Sequence, residues 1–163
     1  MKKLHFRTKK HDLMTVSTSQ IYCFPEDLLE VYAWGDAKIG FNKEAHIGSF
    51  EDCKYNFKLP KEAPNLHTDL SHMFGETETF NQSLANWDTS NVTNMSFMFY
   101  RAKAFNQSVS NFDTSNVINM AFMFCDAKAF NQSVEHFDIS KVTDMQWVVR
   151  RFPCKKPSWY PYD

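Results

Sequence analysis

Three strings recur along the chain without insertion or deletion. FNQSLANWDTSNVTNMSFMF begins at Phe80, FNQSVSNFDTSNVINMAFMF at Phe105 and FNQSVEHFDISKVTDMQWVV at Phe130, a period of 25 residues. An incomplete copy precedes them: TDLSHMF, Thr68 to Phe74, aligns with TNMSFMF, Thr93 to Phe99. A period of this size marks units that cannot bury an apolar face alone and must stack on their neighbours. The apolar ranks agree. Phe80, Phe105 and Phe130 recur, as do Leu84, Val109 and Val134, then Trp87, Phe112 and Phe137. Val92, Val117 and Val142 follow, and then the ranks headed by Leu70, Met73 and Phe74.

Inside one unit, Met95, Met98, Phe99 and Ala102 stand at i, i+3, i+4 and i+7, and Met120, Met123, Phe124 and Ala127 repeat the spacing. That pattern predicts one face of a short helix. Asp69, Asn94, Asn119 and Asp144 precede it, where an Asx side chain caps a helix by accepting an amide two or three residues on. The segment FNQSLANWD and its copies reads as a short strand plus a turn. Asp88, Asp113 and Asp138, each followed by Thr-Ser or Ile-Ser, read as Asx or Ser turns that close the coil. The expected fold class is therefore an α/β repeat solenoid, leucine-rich-repeat-like, with a short helix and a short strand per 25-residue coil and an N-terminal cap.

The remainder is read around that body. Residues 1–19 form a basic, flexible N-terminus and residues 20–66 a capping region. Pro25 to Tyr32 reads as a short helix with acidic residues in its first turn. The repeats occupy 67–152, and 153–163 is a tail or cap, PSWYPYD either folding over the exposed end or hanging free. Charge divides unevenly: residues 1–65 carry +1, 66–149 carry −5 and 150–163 carry +3, for a net −1. The basic ends offer a nucleic-acid reading, but the acidic body would repel phosphate, so no nucleic-acid partner is expected.

Several chemistries are excluded or disfavoured. The four glycines, Gly35, Gly40, Gly48 and Gly75, give no phosphate-loop or dinucleotide spacing. Cys23, Cys53, Cys125 and Cys154 contain no C-x-x-C pair, which argues against zinc. Free thiols and disulfides both stand as readings, Cys23–Cys53 closing the shorter loop. The six histidines lack H-x-x-x-H spacing, and no serine lies in a G-x-S-x-G context. No enzyme activity, cofactor or metal is expected. Thr89 and Thr114 begin a threonine rank that Ile139 ends, which disfavours an ice-binding array. No run approaches the length of a membrane span. The start MKKLHFRTKK has no apolar run of a secretion signal, which leaves a cytoplasmic protein or a surface protein whose signal has been removed.

The string FNQSLANWDTSNVTNMSFMF resembles the mycoplasma lipoprotein-associated repeat, and with it the BspA-like leucine-rich-repeat surface proteins of bacteria. The resemblance covers about residues 66–149. It implies a repeat solenoid, a cell-surface or secreted location and adhesion or protein binding, with no catalytic residues to carry over. The missing secretion signal and the short array depart from that pattern.

The functional expectation is a non-catalytic protein-binding or adhesion module whose partner is a protein or a host-surface ligand. An intracellular interaction or scaffold protein is the alternative. The expected binding residues are the ladders Gln82, Gln107, Gln132 and Ser83, Ser108, Ser133, together with Glu135 and His136, which vary between copies. Asn81, Asn106 and Asn131 form a third ladder, read as bonding within the stack. The varying rank Tyr100, Cys125 and Arg150 is a further contact candidate.

Overall fold

The computed structural model describes residues 4–10, 14–16, 28–34, 38–39, 50–151 and 155–161. Its five strands are β1 (Leu4–Thr8), β2 (Met14–Val16), β3 (Leu28–Ala33), β4 (Lys38–Ile39) and β5 (Asn65–Leu66). β1 lies between β2 and β3 in an antiparallel sheet, and β4 pairs with β5 in parallel. The α/β expectation is overturned: among the described residues there is no helix, and no repeat carries the expected short helix and short strand.

The turn segment of each repeat explains why. Along Met95 to Ala102 the backbone amides alternate between two uses. Met95, Phe97, Phe99 and Arg101 donate to Asn119, Ala121, Met123 and Cys125 of the following coil, at 2.8 to 2.9 Å. Met98, Tyr100 and Ala102 donate to the carbonyl three residues back in their own coil. An α-helix needs every amide for the residue four back, so the two patterns are exclusive. The alternation recurs from Leu70 to Glu76 and from Met120 to Ala127. Parallel bridges Asp69–Asn94, Asn94–Asn119 and Asn119–Asp144 run up the same side.

The expected cap residues keep their hydrogen bond and lose their helix. The Oδ1 atoms of Asp69, Asn94, Asn119 and Asp144 accept the amides of Ser71, Ser96, Ala121 and Gln146, two residues on, which makes Asx turns. Asp88, Asp113 and Asp138 accept from Ser90, Ser115 and Ser140 in the same way, as their sequence predicts. These serines hold all three carboxyl groups below the usual carboxylate range. The serine hydroxyl is the larger cause at Asp88 and Asp113, and the backbone amide at Asp138.

The copies stack in register, and Phe does most of the filling. Phe80, Phe105 and Phe130 lie one above another at 5.9 and 5.8 Å between ring centres, within a few degrees of parallel. A second column runs Phe74, Phe99, Phe124 at 5.5 and 5.3 Å. The columns touch at 4.1 to 4.3 Å within each coil. Both extend upstream of the repeats recognised in the sequence, through Phe50 to Phe74 at 5.4 Å and Phe57 to Phe80 at 5.0 Å. All these rings are fully buried. Each is worth about 1.5–3 kcal/mol in burial, and each favourable ring pair about 0.5–1.5 kcal/mol more.

The N-terminal residues cover one end of the stack. The expected helix is a strand from Leu28 onward, while Pro25 to Asp27 lie outside the described residues. Pairing with β1 buries Phe6, Leu28 and Val31 together, and tertiary burial outweighs a weak helical preference. β1 itself falls where the sequence predicts a flexible basic terminus. Arg7 and Glu30 face each other across it at 3.3 Å. Val31 N donates to Lys58 O at 2.8 Å, and Trp34 sets its ring edge on Phe50 while its Nε1 donates to Glu62 O. At the other end Trp159 lies against Phe137 at 6.4 Å and donates to Val134 O. Cys23 and Cys154 lie outside the described residues. Cys125 carries a free, buried thiol, whose pKa burial raises.

Candidate binding surface

The binding side chains singled out in the sequence all take part in hydrogen bonds within the chain. Gln82 Nε2 donates to Phe57 O, and its Oε1 accepts Leu59 N at 3.1 Å. Gln107 and Gln132 donate to Asn81 Oδ1 and Asn106 Oδ1, both at 3.0 Å, and the same oxygens accept the amides of Asn106 and Asn131. Ser83, Ser108 and Ser133 are exposed, each accepting the amide two residues on, from Ala85, Ser110 and Glu135. The Glu135 carboxylate accepts the amide and hydroxyl of Ser158, which keep it below the usual range. His136 Nε2 lies 3.1 Å from Val109 O and therefore carries the proton. Gln132, Ser133 and Glu135 line a hollow of about 470 Å³ beside Lys155 and Ser158, and Gln82 and Ser83 line one of about 370 Å³ at the opposite end.

A different rank faces outward. His72, Phe97, Phe122 and Trp147 occupy one position of the turn segment, all at positive φ between 53° and 60°. Four residues on, Glu76, Arg101, Asp126 and Arg151 do the same, at 52° to 59°. Left-handed backbone is uncommon for any side chain and a real outlier for a bulky one. It sits here because each is the third residue of a tight turn, where the chain must reverse curvature to keep its alternate amides aimed at the next coil. At His72, Phe97 and Phe122 the side chains are half-buried rather than packed in the core, and Trp147 is 42% exposed.

These side chains form two ladders. His72 stacks on Phe97 at 4.7 Å and Phe97 on Phe122 at 4.6 Å, while Trp147 meets Phe122 edge-on at 5.0 Å. Tyr100 adds an edge contact to both Phe97 and Phe122. The guanidinium of Arg150 lies 4.2 Å from the Trp147 ring centre and that of Arg101 4.8 Å from Tyr100. The charged ladder pairs Arg101 with Glu76 and Arg151 with Asp126, each at 3.4 Å. Lys103 and Glu78 pair beside it at 2.6 Å, and a cleft of about 430 Å³ runs between the two charged rows. At the N-terminal end His72 Nδ1 is 2.7 Å from Glu51 Oε1; that hydrogen bond raises the imidazole pKa, with burial opposing.

The aromatic rank is legible as a rank, since all four copies carry a ring there. A helical template assigns it to the solvent side and gives it no role. Tyr100 and Arg150, which belong to a rank that varies between copies, flank it directly.

A family model described as a Mycoplasma protein of unknown function, DUF285, matches residues 48–155. The match begins just before Phe50, where the stacked rings begin. No curated protein and no solved structure matches significantly.

Proposed function

The chain belongs to the DUF285 family, and from that premise we propose that it is a non-catalytic binding module whose partner is a protein or host-surface ligand. The BspA-like resemblance of the repeat supports a surface role, with an intracellular scaffold as the alternative. The observation that carries the reading is the outward ladder of His72, Phe97, Phe122 and Trp147, bordered by paired charges. A contiguous aromatic strip, half-buried at Phe97 and Phe122 and exposed at Trp147, with a charged rim is in keeping with a protein-contact surface. The stack fixes its spacing, so binding orders few side chains. The Gln ladder supports the stack, since Gln107 and Gln132 bond to the preceding coil, while the exposed Ser83, Ser108 and Ser133 bond within their own coil.

Capture from solubilised host-cell surfaces tests this, with the wild-type chain immobilised beside Phe97→Ser/Phe122→Ser and Gln107→Ala. A discrete set of proteins retained by wild type and Gln107→Ala, and lost by the double variant with its fold intact, is the expected result. Equal recovery on all three removes the ring ladder as the binding face. Loss on Gln107→Ala alone moves the site to the polar ladder.

A further inference from the structure

Every second amide of a coil's turn segment holds the coil that follows, so the last coil has a row left over. Met120, Phe122, Phe124 and Asp126 donate to Asp144, Gln146, Val148 and Arg150. The equivalent amides one coil on belong to Met145, Trp147, Val149 and Arg151, and among the described residues none has an acceptor. Val149 is buried, but Asp144, Gln146, Trp147, Arg150 and Arg151 are exposed and Met145 is half-exposed, whereas Met120 and Ala121 are buried one coil earlier. The tail covers another part of this end, with Ser158 on Glu135 and Trp159 on Val134 and Phe137.

We propose that this open edge docks a peptide segment of a partner protein that continues the stack. The segment offers backbone carbonyls at every second residue, an aromatic side chain over Trp147 and a carboxylate beside Arg151, four residues further along. The hydrogen-bond row fixes the first requirement, as it does when an extended peptide adds to a sheet edge. The two ladders fix the others. Rings follow one another through Trp147, and each arginine of the charged rank pairs with an acid, Arg101 with Glu76 and Arg151 with Asp126, so the exposed Arg151 guanidinium at the end of the rank favours a carboxylate beside it. A second copy related by a two-fold axis does not satisfy the edge, because the same row of amides would face itself, donor against donor. Head-to-tail addition is obstructed by β3 and Trp34, which lie over the opposite end. This site is an end of the stack and stands independently of whether the side of the ring ladder binds anything.

The probe is a peptide of residues 117–127 with Cys125→Ser, the segment that accepts this same amide row beneath Arg101 and carries Phe122 and Asp126. Added to the full-length labelled chain, it is expected to shift the Met145, Trp147 and Arg151 amide resonances and slow their solvent exchange. The same peptide with Asp126→Lys binds several-fold more weakly, and Arg151→Glu reverses that preference. Unmoved amides at millimolar peptide overturn the proposal, and so does equal binding of the two peptides. Concentration-dependent dimerisation that protects these amides before any peptide is added assigns the edge to a second copy and overturns it as well.

Discussion

Phe122 combines two costs that a soluble protein ordinarily avoids, a left-handed backbone at φ 60° and a half-exposed ring. Left-handed geometry costs an L-residue about 1–2 kcal/mol, and the cost is spread over two ranks in every coil. It is offset by the inter-coil amide it aims, Phe122 N to Gln146 O at 2.8 Å, and by ring contacts on both sides. Replacement therefore ranks by backbone before hydrophobicity. Phe122→Val is expected to lower thermal stability more than Phe122→Asn, because Asn tolerates this region and a β-branched side chain does not. The opposite order contradicts the geometry. His72 adds a pH term at the same rank. Glu51 holds its pKa above the usual value of about 6.5, with Asp69 and Glu76 nearby adding to the effect. Protonated His72 is thus stabilised by folding: its contribution is complete below the unfolded pKa and disappears as pH rises through the raised folded value. Denaturation melts of wild type and His72→Phe are expected to converge in that direction, and parallel curves contradict the pairing.

At the scale of the element, the spacing i, i+3, i+4, i+7 reports burial correctly and backbone wrongly. Leu70, Met73, Phe74 and Thr77 are all buried, as are Met95, Met98, Phe99 and Ala102. Linked tight turns place the same residues inward as a helix would, so periodicity alone does not separate the two. The distinguishing property is where the amides go, and that depends on a neighbour 24 residues away, as from Met95 to Asn119. The Asx residues are legible because their bond is local and common to a helix cap and an Asx turn. Far-UV circular dichroism is expected to lack the double minimum of a helix. Asn119→Ala removes the acceptor for the amide of Ala121, a residue only 4% exposed. It is expected to destabilise by about 1–3 kcal/mol, the cost of an unsatisfied buried donor, measured by urea titration. A change within error contradicts a structural role for that turn.

For the whole molecule, the repeat by itself makes the stack legible, because matching ranks of Phe and Val require one another's company. The two ends are not legible in the same way. Phe50 and Phe57 lie outside the exact 25-residue spacing and read as part of the N-terminal cap, yet their rings continue both columns. The outward use of the aromatic rank depends on the backbone hand, which no apolar pattern reports. Stability is shared along the columns, so one interior ring supports two coils. Phe105→Ala is expected to cost about 3–5 kcal/mol, while Lys103→Ala, which removes a solvent-screened ion pair, is expected to leave stability nearly unchanged. The most direct test of the stacked-turn architecture is a through-hydrogen-bond coupling measured by NMR from the amide of Arg101. The account predicts coupling to the carbonyl of Cys125, in the following coil, 2.9 Å away. Coupling to the carbonyl of Phe97 instead, four residues back in the same coil, would restore a helix and contradict it.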